Sequence, residues 1–157
     1  MIDSGLEIAS HGLKWIDYRD FSLKKEKEFF NKALELHEAT TGSKPKGWYL
    51  GRCTSNTIKI ACEYGNFDYI SDSYADELPY WHHHKGTENL IVPYTLDAND
   101  MRFATSQGFN SGSQFYDYLK DTFDCLYYEG EMGYPKMMSI GLHCCLLYTS
   151  DAADEGL

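Results

Sequence analysis

Long apolar segments, concentrated positive charge and a signal-peptide pattern are all missing from this sequence. No apolar run approaches the roughly 18 residues that a membrane-spanning helix needs, and the N-terminal region lacks the pattern of a secretion signal. The 14 Lys and Arg residues are outnumbered by 24 Asp and Glu residues, which gives a net charge of −10. Because nucleic acids and anionic membranes bind concentrated Lys and Arg, we expect neither as a partner.

Cysteine motifs are missing as well. The five cysteines form no C-x-x-C pair, so the sequence gives no sign of a cysteine-bound zinc ion. Their odd number also argues against the disulfide framework of a small secreted protein. We therefore expect a reduced, cytoplasmic compartment.

The sequence does contain clear helix signals. Its 157 residues, 43% of them hydrophobic, are enough for one domain with a buried core. Helices are predicted over residues 22–42, 55–65 and 111–130, because each range begins with a serine that can cap a helix and ends with a glycine that can close one. The third helix is expected to bury a stripe formed by Phe115, Leu119, Thr122, Phe123 and Leu126.

Short apolar runs alternate with these helices. Strands are predicted over residues 6–9, 45–50, 67–70, 90–96 and 137–142. Such alternation favours an α/β fold with a parallel sheet and crossover helices. The three adjacent histidines at 82–84 are interpreted as an exposed loop, since consecutive side chains point in different directions and rarely bind one ion together.

Four polar side chains follow predicted strands. They are His11, Arg52, Asp72 and His143, and in a parallel α/β protein this edge of the sheet is where ligands bind. A histidine there suits proton transfer because its pKa lies near neutrality. Structural roles stay open from the residues alone: a packed histidine, or an arginine that pairs with any nearby acid.

Several segments resemble one protein family. Residues 11–17, His-Gly-Leu-Lys-Trp-Ile-Asp, are similar to a motif of the polysaccharide deacetylase superfamily (NodB homology), in which two histidines four residues apart bind a metal. Here the second histidine is replaced by Trp15, as in the metal-independent allantoinase branch. The chain resembles further motifs of that branch, in order, at residues 47–57, 71–81, 92–103 and 142–143.

The resemblance implies a partial (β/α) barrel over residues 1–144 and a hydrolase of carbon–nitrogen bonds. The implied reaction opens the hydantoin ring of allantoin, a small ureide of purine catabolism, to allantoate without a metal or other cofactor. His143 would be the general acid and His11 a second catalytic group, while Trp15, Arg52 and Asp72 would bind substrate. A homo-oligomer is expected for the full-length parent.

Two departures from the family lead to further expectations. The family's glutamate from an earlier strand has no counterpart here, so we expect this fragment to be inactive on its own. Residues 145–157 resemble the translation of a sequencing adapter, and we expect them to be foreign rather than a genuine acidic tail.

Three alternatives remain open at this point. A metal-dependent N-deacetylase of amino sugars is the broad activity of the superfamily, but it requires a histidine where Trp15 stands. A non-catalytic barrel module would not need histidines at the ends of strands. A fragment with unpaired sheet edges could also fail to fold stably.

Overall fold

A computed structural model describes residues 2–143 of the chain. The chain divides into two compact units, Met1–Pro93 and Tyr94–Leu157. Within the described residues, no helix is both long and apolar enough to cross a membrane. The predicted foreign tail, residues 145–157, lies outside the described residues, as does the predicted domain boundary at residue 144.

Two helices of the first unit follow their capping signals. Helix α1 spans Leu23–Thr41; the Ser22 hydroxyl caps its first turn, and Gly42, with φ of 78°, closes it. This confirms the predicted helix. Helix α2 spans Ser55–Tyr64 and also ends as predicted, at a left-handed glycine. Its N-cap is Thr54 rather than the predicted serine one residue later.

The first unit contains a four-stranded sheet in the order β1-β2-β4-β3. Its strands are β1 (Gly47–Trp48), β2 (Tyr69–Ile70), β3 (Tyr80–His84) and β4 (Thr87–Ile91). The pairings β1–β2 and β2–β4 are parallel, while β3 and β4 are antiparallel. The predicted strands at 45–50 and 67–70 are therefore present in shorter form. The one predicted at 90–96 begins earlier and ends at Ile91.

The adjacent histidines at 82–84 lie in strand β3, so the predicted loop was wrong. Lys85 and Gly86 both have positive φ, 48° and 85°, and connect β3 to β4 as a tight hairpin. Side chains along β3 alternate in exposure. His82 and His84 therefore share one face of the strand, where their rings stack at 6.3 Å, while His83 lies on the other face.

Two further predicted strands are reduced to single-residue bridges. Residues 6–9 form no strand; only Ser10 pairs with Trp48, and Leu6 is 61% exposed. Residues 137–142 likewise contribute only the parallel bridge between Asn99 and Gly141. Both strand predictions were therefore wrong, because one pair of residues does not make a ladder.

The core of the first unit lies between the helices and the sheet. Phe30 of α1 packs on Trp48 of β1 with ring centroids 4.6 Å apart. The carboxylate of Glu26 is also buried here, where it accepts hydrogen bonds from the hydroxyls of Thr54 and Thr57. The remaining core residues are Tyr18, Ala33, Leu34, Leu50, Ile60, Ala61, Cys62, Ile70 and Ile91.

The second unit contains a 3₁₀ turn, Asp100–Ala104, and helix α3, Gly112–Glu131. Ser111 caps α3 as predicted, but the side chain of Gln114 accepts from the backbone of Asn110 and does not complete a capping box. No residue of α3 is buried, and Phe123 of the predicted stripe is 56% exposed. The helix also continues one residue past the glycine at 130.

Candidate active site

Asp72 lies just after β2 and is 3% exposed. Its Oδ1 and Oδ2 each accept from the backbone N–H of Leu50 at 2.9 Å, and Oδ1 also accepts from Gly51 at 2.9 Å. Burial raises the pKa of the Asp72 carboxyl, while these two N–H groups and the nearby charge of His11 oppose the shift. The carboxylate thus holds the chain segment that follows β1.

Gly51 forms a left-handed turn, with φ of 79°, directly before Arg52. Beyond this turn the guanidinium of Arg52 lies 4.3 Å from the centroid of the Trp15 ring, a cation–π contact. Both side chains are exposed, Trp15 by 54%. A charged group and a broad aromatic face are therefore available to a ligand at one place.

His11 follows the bridge residue Ser10, which exchanges backbone hydrogen bonds with Gly47 and Tyr49. Its imidazole contacts the ring of Tyr49 with centroids 5.2 Å apart and is exposed. The first unit thus carries four predicted site residues on the segments that follow the Ser10 bridge, β1 and β2. They are His11, Trp15, Arg52 and Asp72.

His143 lies in the second unit, where a buried aspartate holds it. Nδ1 of His143 is 2.6 Å from Oδ1 of Asp100, and the His143 backbone N–H donates to Oδ2 at 2.6 Å. The carboxyl side chain is 2% exposed and the imidazole 36%. Because a carboxylate only accepts, Nδ1 carries the proton, and the Nε2 atom is left for chemistry.

The Asp100 carboxylate is itself fixed by the bridge between Asn99 and Gly141. The backbone N–H of Asp100 donates to the Gly141 carbonyl at 3.0 Å, and the Asn99 side chain donates to the Tyr94 hydroxyl at 2.8 Å. A Cβ on Gly141 would lie 2.3 Å from Nδ2 of Asn99, so this close approach requires glycine.

Sequence reasoning missed Asp100 as a site residue. The available signal was its place in the segment 92–103, which resembles a motif of the family. His11, Trp15, Arg52, Asp72 and His143 stay predictions as functional residues.

The chain is similar to several known proteins. A Schizosaccharomyces pombe protein named "Putative polysaccharide deacetylase" is 40% identical over 162 aligned positions, which cover 93% of this chain and 51% of that protein. The crystal structure of PuuE allantoinase is 43% identical with a TM-score of 0.87; the match covers all of this chain and 55% of that one. No family model matches the sequence.

Two further solved structures are similar. A "probable Polysaccharide deacetylase" from Pseudomonas aeruginosa PAO1 is 44% identical with a TM-score of 0.86, over the whole of this chain and 56% of that one. A Mycobacterium smegmatis structure, at 17% identity and a TM-score of 0.70, shares the fold alone. The chain therefore spans about half the length of the relatives that it matches.

These relationships define the class: the chain is a homologue of the polysaccharide deacetylase family. The predicted α/β fold, of the type found in this family, is confirmed. The structural neighbours also include PuuE allantoinase, which matches the branch indicated by residues 11–17.

The metal site of that superfamily does not fit these residues. At the position of the second histidine stands Trp15, whose indole N–H can only donate a hydrogen bond and has no lone pair to coordinate a metal ion. Within residues 2–143, no three His, Cys, Asp or Glu side chains are grouped to hold a metal ion.

Proposed function

We propose that the full-length parent of this chain hydrolyses a carbon–nitrogen bond in a cyclic ureide, opening the hydantoin ring of allantoin to allantoate without a metal. The observation that carries the proposal is Trp15, which stands at the position of a metal-binding histidine and lies 4.3 Å from the Arg52 guanidinium. The neighbour PuuE allantoinase supports the same substrate class.

The chemistry requires attack of water on a ring carbonyl and protonation of the departing nitrogen. His143 is suited to the second step, because Asp100 holds its Nδ1–H and directs Nε2 away from the carboxylate. The same carboxylate stabilises the positive charge when Nε2 takes up a proton. A ring imide nitrogen leaves more readily than an ordinary amine, which reduces the need for a metal.

His11 and the pair of Trp15 and Arg52 have complementary roles in this proposal. The flat face of Trp15 suits the planar hydantoin ring, and the Arg52 guanidinium offers several N–H donors to its carbonyl oxygens. His11, exposed beside Tyr49, is the second imidazole and would orient the attacking water. Asp72 holds the turn before Arg52 by accepting from the backbone N–H groups of Leu50 and Gly51.

A chelator experiment tests the proposal. Allantoin hydrolysis by the full-length parent should be unchanged after dialysis against EDTA, and addition of zinc should not increase it. Loss of activity with EDTA and its recovery with zinc would contradict the proposal. Release of acetate from an N-acetylated amino sugar in the same assay would instead support the metal-dependent deacetylase.

A further inference from the structure

Two tyrosines with no assigned role meet at the turn that presents Arg52. The hydroxyl oxygens of Tyr49 and Tyr74 are 3.1 Å apart, and the Tyr74 hydroxyl donates to the Gly51 carbonyl at 3.3 Å. A phenol has a single O–H to donate. When Tyr74 donates to Gly51, the Tyr49 hydroxyl must be the donor in the pair, so the bonds run in one direction from Tyr49 to the turn.

The same turn is also held through its backbone N–H group. The N–H of Gly51 donates to the Asp72 carboxylate at 2.9 Å, while its carbonyl accepts from Tyr74. Both backbone polar groups of one left-handed residue therefore have partners from the segment that follows β2. Because Arg52 is the next residue, the direction in which its side chain leaves the chain depends on these contacts.

Close packing adds to the constraint. A Cβ placed on Gly51 would lie 3.3 Å from the Tyr49 ring and 3.4 Å from Nε1 of Trp15. The turn, the tyrosine ring and the indole thus lie in close contact. The Tyr49 ring also contacts His11, so a shift of Tyr49 would reach the imidazole as well.

We propose that Tyr49 and Tyr74 are positioning residues, whose hydroxyl pair acts with Asp72 to fix the Gly51 turn and so to set Arg52 against the face of Trp15. The assignment of a function to Arg52 and Trp15 rests on the proposed function. The positioning of these two side chains by the tyrosines does not rest on the proposed function. The positioning role and the proposed function can therefore be tested separately.

The experiment uses the 157-residue chain labelled with 5-fluorotryptophan and observed by ¹⁹F NMR. The chain has three tryptophans, of which Trp48 is buried and reports on the core, and Trp15 reports on the turn. Replacement of Trp15 and of Trp81 by phenylalanine, one at a time, assigns the resonances. Tyr74→Phe should move the Trp15 resonance and leave that of Trp48 in place, and Tyr49→Phe should have a smaller effect of the same kind.

The matched control is Tyr116→Phe, an exposed tyrosine of α3, which should move neither resonance. Hydantoin is then titrated into each protein. Since one lost hydrogen bond alters an equilibrium by about three- to tenfold, the dissociation constant should rise by about that factor in Tyr74→Phe. A merely structural role would move the Trp48 resonance too, which would overturn the proposal.

Other outcomes separate the two proposals. An unchanged Trp15 resonance in both tyrosine variants would also overturn the positioning role, whatever the affinity for hydantoin. A chain that does not bind hydantoin, but whose Trp15 resonance moves in Tyr74→Phe, would support the positioning role and count against the proposed substrate.

Discussion

The carboxylate of Asp100 accepts two hydrogen bonds from His143, one from Nδ1 of the ring and one from the backbone N–H, each at 2.6 Å. One buried side chain therefore fixes both the orientation of the imidazole and the path of the chain that carries it. These contacts join residues 43 positions apart in the sequence. The imidazole is held in one tautomer before any substrate arrives.

Replacement of the imidazole tests its role as general acid. His143→Ala in the full-length parent should lower kcat for allantoin by about 10²- to 10⁴-fold, the usual contribution of positioned proton transfer. KM should change much less, because the proton is needed mainly in the transition state. The control is His82→Ala in strand β3, which should leave both constants unchanged. A kcat near that of the wild type, with the fold intact, would remove His143 from the mechanism.

Asp100→Asn tests the orientation of the ring. The amide keeps the size of the side chain, but one of its two polar atoms is an N–H₂ group. That group cannot accept a hydrogen bond from an N–H of His143, as the carboxylate oxygen does. We expect loss of the Nδ1–H tautomer of His143, measured from the ¹⁵N shifts of its ring, together with a lower kcat. Asp97→Asn, at an exposed position of the same segment, is the control. An unaltered tautomer would show that the carboxylate does not set it.

The buried carboxylate of Glu26 should matter for stability. Glu26→Ala leaves the hydroxyls of Thr54 and Thr57 without their acceptor, and hydrogen bonds to a charged group contribute about 1.5–3 kcal/mol. We expect the free energy of unfolding in urea to fall by about 2–3 kcal/mol, and less in Glu26→Gln. Glu28→Ala, exposed on the same helix, should change it little. Equal losses in Glu26→Ala and Glu28→Ala would contradict this reading.

Acid should weaken one ion cluster on the surface of the first unit. Hydrogen bonds from Lys27 and Lys85, each at 2.7 Å, lower the pKa of Glu63 to about 2 from its ordinary value of 4.5. A depressed pKa adds stability that is fully present above pH 4.5 and is lost as the pH falls toward 2. The melting temperature of wild type minus that of Glu63→Gln should therefore shrink over this interval. A difference that stays constant down to pH 2 would refute the lowered pKa of Glu63. The control is Glu35→Gln, in an exposed pair with Lys32.

Helix α1 shows what sequence reasoning captured well. Its limits depend on local signals, the hydroxyl of Ser22 and the left-handed Gly42, and both were predicted at the correct residue. The hairpin of β3 and β4 was missed because a run of histidines obscured the alternation of polar and apolar residues that predicts a strand. The signal was present in Lys85 and Gly86, two residues between extended segments.

The candidate site was only partly predictable for a different reason. The family resemblance pointed to His11 and His143, because their motifs are short and local. Asp100 could not be assigned as the partner of His143, since that contact depends on how the chain returns after α3. The burial of Asp72 among backbone N–H groups likewise depends on packing between β1 and β2.

The two single-residue bridges have a consequence for hydrogen exchange. His11 follows directly after Ser10, and His143 comes two residues after Gly141, so each imidazole is next to a pairing of only one residue. Such pairings open locally at a lower free-energy cost than the five-residue ladder of β3 and β4. Backbone amides at Ser10 and Gly141 should therefore exchange with solvent deuterium faster than those inside the hairpin. The rigidity of the histidines depends on their side-chain neighbours, the Tyr49 ring and the Asp100 carboxylate, more than on the sheet.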